Sequence, residues 1–237
     1  MLFAKFLNKI KLHFTDPILA IKFDLRKIYF IYAKFSFKFF YKINIPIEKK
    51  YFNQDYCDLY HIFKIILKFN PKKCIEIGSG YSTFVILKAL EINLKKDGIM
   101  PKLISVEQDN NYLNIHKSYI NNYFTIETQK IIEFIKTDLT IESFKNEMVS
   151  ICTNFPNGKF DFFYEDRTDN EMYKIAGDAI KIENEMPRNF IICIDGMVKT
   201  VDFYKINLKR DYDYCGGFYF ASTFIPVNYN TINKNKI

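Results

Sequence analysis

The chain's 237 residues suit one α/β domain with an appendage, and an apolar fraction of 49% is enough for a sizeable core, which excludes wholesale disorder. The net charge of +7 is uneven: residues 1–50 hold eleven Lys/Arg and three acids (+8), the other 187 hold 23 basic and 24 acidic groups (−1). The positive field therefore belongs to a basic, aromatic N-terminal segment (1–50), ahead of a near-neutral domain (51–237).

In chain order, Phe3, Phe6, Leu7, Ile10 and Phe14 recur at helical spacing over residues 1–15. Asp16-Pro17 is a cap-plus-first-turn signal for a second helix, Pro17 to Tyr41, studded with Lys22, Arg26, Lys27, Lys34 and Lys38. Pro46 closes that segment. A third amphipathic helix starts at Asn53, with Tyr56, Leu59, Tyr60, Phe63, Ile66 and Leu67 on one stripe, and ends at Asn70-Pro71. Beyond it, strands alternate with helices, the pattern of a parallel sheet covered on both faces. The spacing predicts strands at Cys74–Ile77, Leu103–Val106, Ile131–Ile135, Phe160–Tyr164 and Phe190–Ile194. It predicts helices at Ser82–Leu94, Asn111–Ile120, Ile141–Cys152, Asn170–Ile182 and Thr200–Leu208. A hairpin, Tyr212–Cys215 with Phe218–Ile225, turns at Gly216-Gly217.

The most informative run is Cys74-Ile75-Glu76-Ile77-Gly78-Ser79-Gly80-Tyr81-Ser82-Thr83. A short apolar strand enters a glycine turn, and Ser82 is placed to cap the next helix. Glycines serve where φ is positive or where a ligand must approach the backbone closely. The turn lies at the carboxyl end of the first strand, where open α/β sheets bind ligands. A dinucleotide fold would continue G-x-G-x-x-G, but position 83 is Thr83. The run is similar instead to the methyltransferase pattern, in which an acid lies two residues before the first glycine; Glu76 supplies it, and such an acid can accept from a cofactor's methionine ammonium directly or through water. A second strand ends in Glu107-Gln108-Asp109, 27 residues after Gly80 at Glu107, as a βαβ unit requires. Glu107 is either a carboxylate for both ribose hydroxyls or a solvated loop acid.

Residues 74–109 resemble the first two motifs of class I S-adenosylmethionine-dependent methyltransferases, and the resemblance extends loosely over about residues 55–227. It implies a doubly wound, Rossmann-like, mostly parallel seven-stranded sheet with an antiparallel last strand, here preceded by N-terminal helices. The Tyr212–Ile225 hairpin would supply strands six and seven. It implies S-adenosylmethionine as cofactor, with Gly78, Ser79 and Gly80 against it, Ser82 among its binding residues and Glu107 on the ribose. Asp138 matches the acid that contacts the adenine amino group, or else caps a helix before Ile141. Asp166, in Tyr164-Glu165-Asp166-Arg167, matches the acid beside the transferable methyl group, with Glu165 turned to the other face. Asp166 and Asp195 end neighbouring strands and could bind a metal, as catechol-type enzymes do with Asp, Asp and Asn, but the position matching Asn is Gly196, so no metal is expected. Asp166-Arg167-Thr168-Asp169 is faintly similar to the acid pair of aminopropyltransferases, whose richer glycine loop is absent.

The function expected is methyl transfer to a small-molecule or glycan acceptor, at oxygen. The rivals are a nicotinamide-dependent enzyme and a non-catalytic adaptor on the same fold. Five single cysteines without a C-x-x-C pair, and an N-terminus unlike a secretion signal, suggest reduced thiols in a cytoplasmic protein. His13, His61 and His116 lack ligand-like spacing for zinc. Residues 1–50 have three readings: helical cover for the cleft, a helix pair lying on an anionic membrane surface, or a nucleic-acid contact. The neutral remainder argues against the last, so no nucleic acid is expected.

Overall fold

The structure is a computed structural model, and it describes residues 17–41, 56–167, 175–217, 220–227 and 229. The expected helix over residues 1–15 and the start of the expected Asn170–Ile182 helix lie outside the described residues. Helix α1 (Pro17–Phe35) continues into a π-helical turn, Ser36–Phe40. Helix α2 (Tyr56–Phe69) ends where Asn70 adopts a left-handed φ of 49° and its N–H returns to the Ile66 carbonyl at 2.9 Å. Pro71 then forbids continuation.

Strands β1 (Lys73–Ile77), β2 (Lys102–Glu107) and β3 (Ile132–Lys136) are parallel, joined by α3 (Tyr81–Asp97) and then by α4 (Asn110–Tyr123) with the short α5 (Ile126–Gln129). Helix α3 stops at Gly98, whose φ of 71° is cheap only for glycine. The Asp109 carboxylate starts α4 by accepting from the Asn111 and Tyr112 N–H groups. A hairpin, β4 (Leu139–Phe144) and β5 (Glu147–Cys152), stands apart from the main sheet as its own two-stranded unit. Then come β6 (Phe162–Glu165), the one-and-a-half-turn α6 (Asp178–Ile182), β7 (Ile191–Ile194), α7 (Val198–Asn207), β8 (Tyr212–Gly217) and β9 (Phe220–Pro226).

The main sheet has the order β3-β2-β1-β6-β7-β9-β8, with β9 antiparallel to both neighbours and the strands from β3 to β7 parallel. Without the extra hairpin, this is the seven-stranded, doubly wound arrangement with an antiparallel last strand that the sequence led us to expect. Strands β6 and β7 are buried at every residue, because both faces are covered. On one face α2 and α3 pack through Ile62, Phe63, Val85 and Ile86 over Cys74, Phe162 and Ile191. On the other, Val149 and Ile151 of β5 join Ala179, Ile180, Val201 and Phe203 over Ile75, Phe163 and Ile192.

Three expectations are corrected. The last hairpin does not turn at Gly216-Gly217: both glycines belong to β8, and Gly217 pairs with Phe220. Residues 141–152 are not a helix: Lys145 and Asn146 have φ of 47° and 69°, a left-handed pair that reverses the chain as a two-residue hairpin turn, with Phe144 opposite Glu147. In the Asn170–Ile182 stretch the described helix begins only at Asp178, after Gly177, whose Cα lies so close to β5 that an added Cβ would stand 2.9 Å from Val149 Cγ2.

Candidate functional site

Strand order reverses between β1 and β6, and the carboxyl edge of the sheet at such a switch point is where open α/β folds bind ligands. Gly78 is the first residue beyond β1. Its N–H bonds to the Val106 carbonyl at 2.8 Å, its φ is 93°, and a Cβ here would lie 1.9 Å from the Asp166 carbonyl oxygen. Glycine at 78 is thus required by the fold, since the chain passes directly against the loop after β6.

Gly80 is different. Its φ of −164° is open to any residue, and the nearest atom to an added Cβ is Ser82 Oγ at 3.5 Å. The fold does not require glycine there, so the bare backbone is available to a ligand.

The turn is fastened from below. Glu76 is fully buried, and its carboxyl group is hydrogen-bonded to the hydroxyls of Ser82 (2.6 Å), Thr83 (2.6 Å) and Ser105 (2.8 Å). Ser79 Oγ lies 2.8 Å from Ser105 Oγ and extends this chain of hydrogen bonds. Thr83 also accepts from the Gly80 N–H at 2.9 Å. The residue that replaces the third glycine of a dinucleotide loop therefore ties the turn to Glu76. Burial pushes the Glu76 carboxyl up to about 8; the three hydroxyls pull it down and the Asp166 charge adds to the rise. Ser82 lies inside the first turn of α3, with Gly80 at the cap position, so the expected capping role of Ser82 is corrected: its hydroxyl serves Glu76.

Glu107 closes the turn from the side. One carboxylate oxygen accepts from the Ser79 N–H at 2.9 Å, the other from the Gln108 and Asp109 N–H groups at 2.8 and 2.9 Å. The oxygen facing Ser79 keeps a lone pair for a further donor.

Asp166 follows β6, and its N–H bonds to the Ile77 carbonyl at 2.9 Å. Solvent reaches its side chain although protein encloses it on most sides, as on the wall of a cleft; this partial desolvation, with the charges of Asp195 and Glu107, raises its carboxyl to about 7. On the next strand end, Asp195 accepts from the buried Tyr164 hydroxyl at 3.2 Å. Glu165 points to the opposite face, where the Tyr204 hydroxyl donates to it at 3.0 Å and Arg167 pairs with it at 2.8 Å. Asp138 lies at the carboxyl end of β3, two strands from β1, exposed and paired with Lys136 at 2.9 Å. It caps no helix, because β4 follows it.

Sequence reasoning missed Arg167. Its buried guanidinium joins Glu165, Asp178 and the Ser150 carbonyl and hydroxyl (3.3 and 3.0 Å), tying the loop that carries Asp166 to β5 and α6. Nothing local marks it, since its partners lie up to 17 residues away in sequence.

The SAH-bound methyltransferase PaMTH1 of Podospora anserina aligns with this structure at a TM-score of 0.51 and 14% identity, covering 86% of this chain and 88% of its own. The chain has the class I methyltransferase fold. The O-methyltransferase from Bacillus cereus in complex with SAH (TM-score 0.46, 10% identity) and a methyltransferase from Pyrococcus furiosus (0.46, 14%) are also similar, each over 84% of this chain and 99% or 97% of theirs. No protein-family model and no curated protein matches the sequence. Within the methyltransferase fold, the Gly78–Gly80 turn, Glu107 and Asp166 gather at the mouth between β1 and β6, whereas Asp138 stands off toward the β3 edge.

Proposed function

We propose that the chain binds S-adenosylmethionine over the Gly78–Gly80 turn and directs its methyl group to an oxygen of a small-molecule or glycan acceptor. The observation that carries this reading is the uncovered backbone at Gly80, a glycine that the fold itself does not need, beside Glu107 at the point where strand order reverses. Gly80, next to Ser79, leaves open the space a Cβ would fill, and Glu107 has a lone pair left for a ribose hydroxyl. Asp138, at the β3 edge, is assigned to the adenine end. Glu76 and Ser82 act one layer below, by holding the turn that receives the methionine end. When bound, the cofactor supplies an already activated methyl group, so the protein's main task is alignment. An acceptor hydroxyl must still lose its proton, and Asp166, poised near neutrality at the cleft wall, is the group placed to take it.

In this reading residues 51–237 form the cofactor-binding domain. The setting is cytoplasmic, in keeping with five free thiols; among the described residues no helix is long and apolar enough to cross a membrane.

Thermal unfolding with candidate ligands tests the proposal. S-adenosylhomocysteine at about 100 times its dissociation constant should add roughly 2.7 kcal/mol, raising Tm by several degrees, while NAD should add nothing. A shift with NAD and none with the sulfur compound would overturn it.

A further inference from the structure

Helix α1 shows apolar side chains on two opposed faces. Its inner face packs on α2: Ala33 and Phe37 are buried, and Phe37 meets the rings of Tyr60 and Phe63 at 5.5 and 5.4 Å. The outer face carries Leu25, Ile28, Ile31, Phe35, Phe39 and Phe40, each 47–68% exposed. At 100° per residue, the first four fall within an arc of about 120°. The π-helical turn turns Phe37 inward and leaves Phe39 and Phe40 outside, where they gather on Phe35 with ring centroids 4.4 and 5.7 Å away. Lys27, Lys34 and Lys38 stand exposed along one flank of that arc, and residues 25–41 contain no acid. Arg26 is turned inward to Asp58 at 3.5 Å.

We propose that this outer face docks on an anionic lipid surface, with the aliphatic and aromatic side chains in the headgroup boundary and Lys34 and Lys38 on lipid phosphates. Charge decides among occupants. The face sits within a segment of net charge +8, so a second copy would set lysine against lysine across a self-complementary contact. Anionic headgroups neutralise the same lysines while the apolar arc leaves water. The placement also fits. Helix α2 enters β1 through three residues, so it runs antiparallel to that strand, and its first turn, where Tyr56 and Asp58 meet α1, lies at the carboxyl edge of the sheet. The docked surface is therefore at the same end of the molecule as the Gly78–Gly80 turn. The docking itself stands whether or not the chain transfers methyl groups.

Co-sedimentation of the full chain with phosphatidylcholine vesicles, with and without phosphatidylglycerol, tests this. The chain should pellet with the anionic vesicles alone and be released by added salt. Lys34→Gln/Lys38→Gln should weaken binding about 30-fold, from about 1 kcal/mol per lysine near the surface. Ile31→Ser/Phe39→Ser should weaken it at least as much, with an unchanged melting curve because both side chains are exposed. Equal binding to both vesicle types, or to neither, would overturn the proposal. So would a concentration-dependent dimer in sedimentation velocity that Ile31→Ser/Phe39→Ser abolishes, since it would give the face to a second copy.

Discussion

Glu76 has no exposed surface and three hydroxyl partners, and its pKa near 8 means that the folded chain holds a proton which the unfolded chain releases at an ordinary 4.5. Asp166, raised to about 7 from 3.8, has the same sign. The stabilisation from both is whole below their ordinary values and is lost as pH rises through 7 and 8. His61 and His116, lowered to about 4 by burial, act oppositely: their contribution is whole above 6.5 and is lost as pH falls through 4. Between pH 6.5 and 8 the buried Glu76 still changes, so its share of the unfolding free energy should fall as pH rises, by at most about 1.4 kcal/mol per pH unit for its one proton. Urea denaturation at the two ends of that window should show the loss, and Glu76→Gln should show a smaller one. A flat or rising wild-type profile would contradict the buried, protonated Glu76. The acid itself was legible in the sequence as the residue two before Gly78. Its partners were not: Ser105 is 29 residues on and reaches Glu76 only because the β1–β2 register sets them side by side. Arg167 was invisible for the same reason.

Among the elements, the five parallel strands were legible because a strand buried on both faces reads as a short apolar run between turn residues, as in Phe190-Ile191-Ile192-Cys193-Ile194 ahead of Asp195-Gly196. The β4–β5 hairpin was not. Ile141, Phe144, Met148 and Ile151 fall at helical spacing, and Lys145-Asn146 carries no glycine to announce a reversal. Both residues nevertheless take left-handed φ, which costs lysine on the order of 1–2 kcal/mol. Lys145→Asn/Asn146→Gly should therefore raise stability by about 1 kcal/mol, measured as a higher urea midpoint with an unchanged slope. Destabilisation by that pair would mean that residues 139–152 do not form this hairpin. The replacement matters for the site, since Ser150 of β5 holds Arg167, which in turn anchors the Asp166 loop.

At the scale of the whole molecule, the uneven charge separates two tasks. The near-neutral α/β body carries the Gly78–Gly80 turn at its strand-order reversal, and the basic α1 faces outward at the same end. The architecture followed from the alternation of strand and helix patterns, but the division of labour between the two glycines did not, because Gly78 and Gly80 look alike in a motif. Gly78 is held by its contact with Asp166 and its positive φ; Gly80 is free of both demands. That difference gives the most direct test, a calorimetric titration of S-adenosylhomocysteine into the wild-type chain and Gly80→Ala. The wild type should bind one ligand per chain. Gly80→Ala should lie within about 1 kcal/mol of wild-type stability, as alanine at a cap position allows, yet bind at least about tenfold more weakly because its Cβ occupies the approach to the backbone. Equal affinity in the two proteins, or no binding by the wild type, would contradict a cofactor seated on the Gly78–Gly80 turn.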